Sequence, residues 1–193
     1  MKKIEVMLID AHSGRSAILE QALSDAGYRI AIRIVSTDRL LQQVRDIKPD
    51  VILIDIDLPD RDTLEQLRDV GRNQPKPIVM FAERSDPETT AAALRAGVSA
   101  YVVDDLNPRR LKPIMDVAIA RFREYQALRR ELEETRSQLA DRKIIEKAKG
   151  LLMEQRNLSE QEAYQSLRKL AMDRNQRVGE VARTVVSLLE MLS

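Results

Sequence analysis

The chain has 193 residues and 44% apolar content, enough for one domain of ordinary size and a smaller one, each with its own core. Its formal charge is +1 and it has no cysteine, which excludes a disulfide framework, a thiolate nucleophile and a zinc-thiolate site, and fits a reducing cytoplasm. The first ten residues hold only four uninterrupted apolar side chains, at 6–9, before Asp10, so they read as a strand, and neither a signal peptide nor a membrane span is expected.

Residues 4–103 alternate short apolar runs, at 4–9, 30–35, 51–54, 78–81 and 100–103, with amphipathic stretches of helical length. Runs such as Val51-Ile-Leu-Ile54 are apolar at every position, which predicts strands covered on both faces: a doubly wound α/β fold with a five-stranded parallel sheet. Side chains able to satisfy free N–H groups mark helix starts. Thr37 or Asp38 is expected to open the second helix, Asp86-Pro87 the fourth and Asn107-Pro108 the fifth. Sheets of this kind carry function at the carboxyl ends of their strands, where Asp10 follows the first strand and Asp55 the third.

Asp10, and Asp55 within Asp55-Ile-Asp-Leu-Pro59, give residues 3–120 a resemblance to two-component receiver domains. The resemblance implies a phosphoacceptor aspartate at Asp55, an acidic pair that helps hold magnesium, a Ser/Thr ending the fourth strand and a Lys ending the fifth. This chain has Ala11 in place of the second acid, Ala82 at the Ser/Thr position and Asp104, followed by Asp105, at the Lys position. Magnesium needs few carboxylates and could be held by Asp10 and Asp55. Asp104, however, puts negative charge where phosphoryl charge would develop, opposing the transition state. Residues 1–120 are therefore expected to be a pseudo-receiver with no resident cofactor, in which Asp55 and Asp10 are vestigial and the scaffold serves protein recognition.

No glycine or turn cluster intervenes between Ile114 and Gly150, which predicts one helix from Pro108 to about residue 155. Leu111, Ile114, Ala118, Arg121, Tyr125, Leu128, Leu132, Thr135, Leu139, Arg142 and Ile145 follow three-four spacing along it. Residues 121–135 then read as a coiled-coil connecting helix, with a parallel homodimer formed through 111–145. The alternative is that this face packs within one chain.

Residues 136–193 carry 11 basic and 8 acidic side chains, a balance that permits nucleic acid without announcing it. They read as three helices: the end of the long one, a second over 160–172 and a third over 178–192. Ser159-Glu-Gln-Glu162 has the form of a capping box, which fixes the second helix's start and puts Tyr164 and Arg168 on one face. Ala163, Leu167, Leu170 and Ala171 make its apolar stripe, and Val181, Val185, Leu188, Leu189 and Leu192 that of the third helix.

Arg142-x-x-Ile145-x-x-Ala148-Lys-Gly-x-Leu152-Met153, then Ser159-x-x-Glu162-Ala-Tyr, Leu167-Arg168, Ala171 and Val181-Ala182, resemble the ANTAR domain of transcription antitermination regulators, over 136–193. With Pro77-Ile-Val-Met-Phe81 and Gly97-Val-Ser-Ala-Tyr101, the chain is similar to the NasT-like regulators of nitrate and nitrite assimilation. That resemblance implies binding to a leader mRNA carrying two small-looped hairpins, which prevents a terminator from forming. It also implies control by an inhibitory nitrate- or nitrite-sensing, NasS-like protein instead of phosphorylation.

The residue chemistry suits RNA, whose unpaired bases are read by stacking planes, edge donors and phosphate cations. Tyr164 is the only aromatic residue of 136–193, and it is either a stacking platform or a packing residue. Ala148, Lys149 and Gly150 are expected to form a small-residue notch beside a charge, open to a phosphate or base; the alternative is close helix packing. Arg142, Lys143, Lys147, Lys169 and Arg177, with Arg168, are candidate phosphate or base contacts, set against a merely solvated face. Met153 and Ile145 are assigned to the core. A DNA-binding response regulator is the competing reading, but the third helix has only Arg183 as a basic residue and is too apolar to enter a groove. No glycine-rich phosphate loop or metal-spaced cluster supports an enzyme, and His12 is the sole histidine.

Overall fold

The computed structural model describes residues 3–10, 16–103 and 107–191. The chain divides into two compact units, Met1–Gln126 and Ala127–Ser193.

The first unit alternates strands β1 (Glu5–Asp10), β2 (Arg29–Ile34), β3 (Val51–Ile56), β4 (Ile78–Ala82) and β5 (Ala100–Val103) with helices α1 (Ser16–Asp25), α2 (Leu40–Ile47), α3 (Arg61–Asn73) and α4 (Pro87–Arg95). The five strands are all parallel, in the order β2-β1-β3-β4-β5. The two-residue alternation of a strand explains the uniformly apolar sequences. Val6, Leu8, Val51, Leu53, Val79 and Phe81 face one core, closed by Leu19 and Leu23 of α1 and by Leu111, Met115 and Ala118. Met7, Ile9, Ile52, Ile54, Ile78 and Met80 face the other, closed by Leu40 and Val44 of α2, Leu64, Leu67 and Val70 of α3, and Ala93 of α4. Each fully buried aliphatic side chain contributes about 1.5–3 kcal/mol, so two continuous cores hold the sheet from both sides.

Helix starts follow local chemistry in most cases. Asp86 accepts from the Thr89 N–H at 2.8 Å and Asn107 from the Arg109 N–H at 3.0 Å, as the sequence predicts. Asp60 likewise caps α3 through the Thr63 N–H at 2.7 Å. The second helix differs: α2 starts at Leu40 behind Arg39 in the left-handed region (φ 54°), with no side-chain cap. Thr37 instead supplies its carbonyl to the Leu40 N–H, and Asp38 is engaged with the Ser36 hydroxyl, so neither closes the helix end.

A single helix, α5 (Pro108–Arg156), contributes to both units, and α6 (Glu160–Asp173) and α7 (Val178–Met191) complete the second. The turns between them use Asn157 and Asn175, both at φ 51°, a left-handed conformation that asparagine tolerates better than most residues. Ala148 and Leu152 of α5, Ala163, Leu167 and Ala171 of α6, and Val181, Ala182 and Val186 of α7 form one small core. The α6 stripe is as expected and Ile145 packs against this core, whereas the α7 stripe is rotated: Val186 is buried and Leu188 exposed. Leu192 lies outside the described residues. Met153, expected inside, is 38% exposed, because Leu152 takes the inward position on that turn.

The proposed seam along α5 also changes. Leu111 and Ala118 lie fully buried in the first unit's core, where Tyr28 donates to Asp116 at 2.9 Å and Lys112 contacts the same carboxylate at 2.8 Å. Those seam positions are already used within one chain. Tyr125, Leu128, Leu132 and Leu139 remain exposed.

Candidate functional site

Two places warrant a chemical reading, one in each unit. In the first, β1 and β3 pair in a register that sets Asp10 beside Asp55, both buried at the carboxyl ends of their strands. Arg33 of β2 brings its guanidinium within 3.6 Å of the Asp10 carboxylate and 3.5 Å of Glu20. At the end of β4, Ala82 is buried and offers no hydroxyl. Ala11, Asp104 and Asp105 lie outside the described residues.

Among the described residues, this end of the sheet offers a cation the buried carboxylates of Asp10 and Asp55. Magnesium wants oxygen ligands in octahedral array. Of the two described carboxylates, that of Asp10 already faces the Arg33 guanidinium, whose charge opposes a dication. Among the described residues no group of three or more acidic or histidine side chains is arranged to hold a metal.

In the second unit the capping box is present in full. The Ser159 hydroxyl accepts from the Glu162 N–H at 3.3 Å, and the Glu162 carboxylate accepts from the Ser159 N–H at 2.9 Å. The Ser159 hydroxyl also donates to that carboxylate at 2.6 Å, and this bond, followed by the one from the Ser159 N–H, holds the Glu162 carboxyl below the usual carboxylate range. Helix α6 is thereby started at Glu160, burying Ala163 and Leu167 and turning Tyr164 and Arg168 outward. Tyr164 is 44% exposed and, among the described residues, its phenol has no hydrogen-bond partner. A large ring exposed beside a guanidinium one turn on can stack on a base, with the Arg168 cation next to it. Lys169 and Arg177 are exposed too.

The α5 residues divide sharply. Arg142 and Lys143 are exposed, and Lys147 is exposed but paired with Glu190 at 2.5 Å. Ala148 is fully buried in the helical core, so it serves helix packing and cannot line an open notch. Lys149 is only 8% exposed, and its ammonium touches Glu160 at 2.6 Å and Glu146 at 2.9 Å. The bonds to these carboxylates raise the lysine pKa and lower that of Glu160. Lys149 is therefore not the accessible cation that its neighbours in sequence suggest.

Gly150 is the opposite case. It is exposed, and a Cβ built there would meet nothing within 4 Å. Packing does not require this glycine, although glycine inside a helix costs about 0.5–1 kcal/mol relative to alanine. Gly179 is buried, and a Cβ there would displace the Asp141 carboxylate, which also pairs with Arg183 at 2.5 Å. Sequence reading missed the Glu146, Glu160 and Asp141 partners, along with Arg156 and Arg174. The last two are exposed cations at the ends of α5 and α6 with no ionic partner among the described residues. Their position in the last turn or cap of a helix was the available signal.

A family model for the response regulator receiver domain matches residues 6–116, and one for the ANTAR domain matches residues 133–186. The chain belongs to the receiver–ANTAR response regulators. Among such relatives, the transcriptional regulatory protein PdtaR of Mycobacterium tuberculosis is 30% identical over 171 residues, spanning 89% of this chain and 83% of that protein. The nitrate regulatory protein of Klebsiella oxytoca is 38% identical over 85 residues, which is 44% of this chain and 22% of that protein. The receiver fold is also seen in the CheY-like response regulator receiver domain protein of Methanospirillum hungatei, with a TM-score of 0.56 and 21% identity over 64% of this chain and 99% of that one. In this receiver–ANTAR chain the receiver keeps the fold with an altered acidic end, and the ANTAR unit keeps a capped helix with an outward tyrosine.

Proposed function

We propose that this receiver–ANTAR regulator is a non-enzymatic, cytoplasmic antiterminator that binds a leader mRNA carrying two hairpins and prevents a terminator from forming. The observation that carries the reading is the outward pair Tyr164 and Arg168 on the capped helix α6, next to a matched ANTAR unit that also exposes Arg142, Lys143, Lys169 and Arg177. The apolar character of α7, with Val181, Ala182 and Val186 in the core, argues against a groove-reading DNA helix. Among the described residues no helix is long and apolar enough to cross a membrane, which is compatible with action on a transcript.

Nitrate and nitrite assimilation genes are the proposed target, on the strength of the Klebsiella relative's name and the NasT-like motifs. Control is assigned to a NasS-like sensor protein docking on the pseudo-receiver, because Arg33 and Ala82 leave Asp55 poorly equipped to take a phosphoryl group. Dimerisation is assigned to the exposed part of the α5 seam, Tyr125, Leu128, Leu132 and Leu139, in place of the whole 111–145 span. Two copies would present two α6 faces to two RNA loops.

The test is a mobility-shift assay of the full chain with a synthetic two-hairpin RNA and a matched DNA duplex, without phosphodonor. Preferential RNA binding supports the reading. Preference for the duplex, or RNA binding that appears only after phosphodonor treatment, overturns it.

A further inference from the structure

Lys149 stands out among the cations of the ANTAR unit because it is buried and doubly engaged. Its ammonium lies 2.6 Å from a Glu160 oxygen and 2.9 Å from Glu146, one turn back on its own helix. Glu160 is the first residue of α6, directly after the Ser159 cap, and Tyr164 lies four residues on, on the same face. A lysine spanning α5 and the first turn of α6 therefore fixes where that face begins. An RNA phosphate brought to the same ammonium would sit against two carboxylates already in contact with it, and like charges so close oppose the approach. The cation is spent within the protein.

The geometry points to Lys149 as a positioning residue that clamps α6 to α5 through Glu160 and so orients Tyr164 and Arg168, and not as a phosphate contact. This deepens the RNA-binding reading and rests on it. Its physical content is preorganisation: a stacking ring contributes fully only if its helix is held before the base arrives. The two roles predict opposite effects for the carboxylate partner. If Lys149 positions α6, removing the Glu160 charge loosens the platform and weakens binding. If Lys149 binds phosphate, removing that charge frees the lysine and strengthens binding.

The experiment uses the full chain with Lys149→Gln, Glu160→Gln and the double substitution. The probe is the two-hairpin RNA that the unsubstituted chain binds most tightly, titrated across a salt series. Each single substitution is expected to weaken binding on the order of tenfold, the effect of a lost charge-assisted contact. The double variant should be little worse than either single one, and the salt slope should match that of the unsubstituted chain. Tighter binding by Glu160→Gln overturns the inference. So does a slope reduced by about 0.7–0.9 units in Lys149→Gln, the signature of one lost phosphate contact. Amide hydrogen exchange without RNA is the second readout, expected to show protection lost over residues 160–164 in both single variants. Unchanged protection there overturns the clamp even if RNA binding falls. If the unsubstituted chain binds no hairpin RNA, the functional reading fails, and the exchange result alone decides whether Lys149 holds α6.

Discussion

Among the described residues, the buried charges of the receiver unit are two carboxylates at the end of a sheet, Asp10 and Asp55, with Arg33 reaching towards one of them, and that of the ANTAR unit is the ammonium of Lys149, enclosed by Glu160 and Glu146. Both are ion groups in places where family chemistry would lead one to seek a ligand. In both, a side chain of the protein already faces the group. The difference lies in what surrounds them. Around Asp10 the sheet and its two cores supply rigidity without help from the ions, whereas the second unit's core is smaller and its helices are also tied by Lys149–Glu160, Asp141–Arg183 and Lys147–Glu190. Each of these pairs joins α5 to α6 or α7, the helices that build the recognition face. A unit whose recognition face depends on them should be the more sensitive one.

The strongest way to break this contrast is through the small core itself. Leu167→Ala should destabilise the helical unit by about 2–5 kcal/mol, the usual cost of such a cavity, and leave the receiver unit's melting transition in place. A single shared loss in calorimetry would refute the independence of the two cores. Next in size is Tyr164→Ala, expected to reduce RNA affinity by about 1–3 kcal/mol with little change in thermal stability, since the ring is exposed. A large stability loss with intact binding would return Tyr164 to a packing role.

Gly150→Ala sharpens the comparison because its two effects have opposite signs. The substitution should stabilise the helix by about 0.5–1 kcal/mol, there being open space for the methyl group, while weakening RNA binding if a base or phosphate approaches there. Denaturant midpoint and mobility shift measure the two separately.

Acid titration gives a smaller effect. Glu160 and Glu162 have folded pKa values lowered from an ordinary 4.5 by their bonds to Lys149 and Ser159. The stabilisation they supply is complete above 4.5 and is lost as pH falls through their folded values. The receiver's helix caps Asp60 and Asp86, lowered from 3.8 by the Thr63 and Thr89 N–H groups, keep theirs to lower pH. Resolved by nuclear magnetic resonance, the ANTAR helices should loosen first on acidification, and Glu162→Gln should blunt that loss. The smallest effect is expected from Asp55→Asn, which should leave RNA affinity unchanged within error with or without phosphodonor. A phosphodonor-dependent gain abolished by that substitution would restore the receiver's chemistry.

Much of this was legible in the residues. The five parallel strands, the 49-residue α5 and the capping box follow from local facts: apolar runs of strand length, three-four spacing with no breaker between Ile114 and Gly150, and a serine three residues before a glutamate. Such signals act over a few residues, so they survive without knowledge of neighbours. The cap of α2 was misread because two polar residues before a helix satisfy the same rule whether the chain enters through them or, as here, through a left-handed Arg39.

What lay beyond the sequence concerns which side of a helix meets which partner. Ala148-Lys149-Gly150 reads as one notch, yet in the structure its three residues point to three fates: core, ion clamp and open surface. Successive residues of a helix are turned by about 100° from one another, so only the packing of α6 and α7 against α5 decides among them. The same packing exposes Met153 and Leu188 and buries Val186, and the sheet claims Leu111 and Ala118 from the expected seam. The sequence by itself determined the elements and their order, because those follow from local periodicity and caps. The tertiary structure decided which charges are free to meet a ligand, because that depends on side chains brought together from distant parts of the chain.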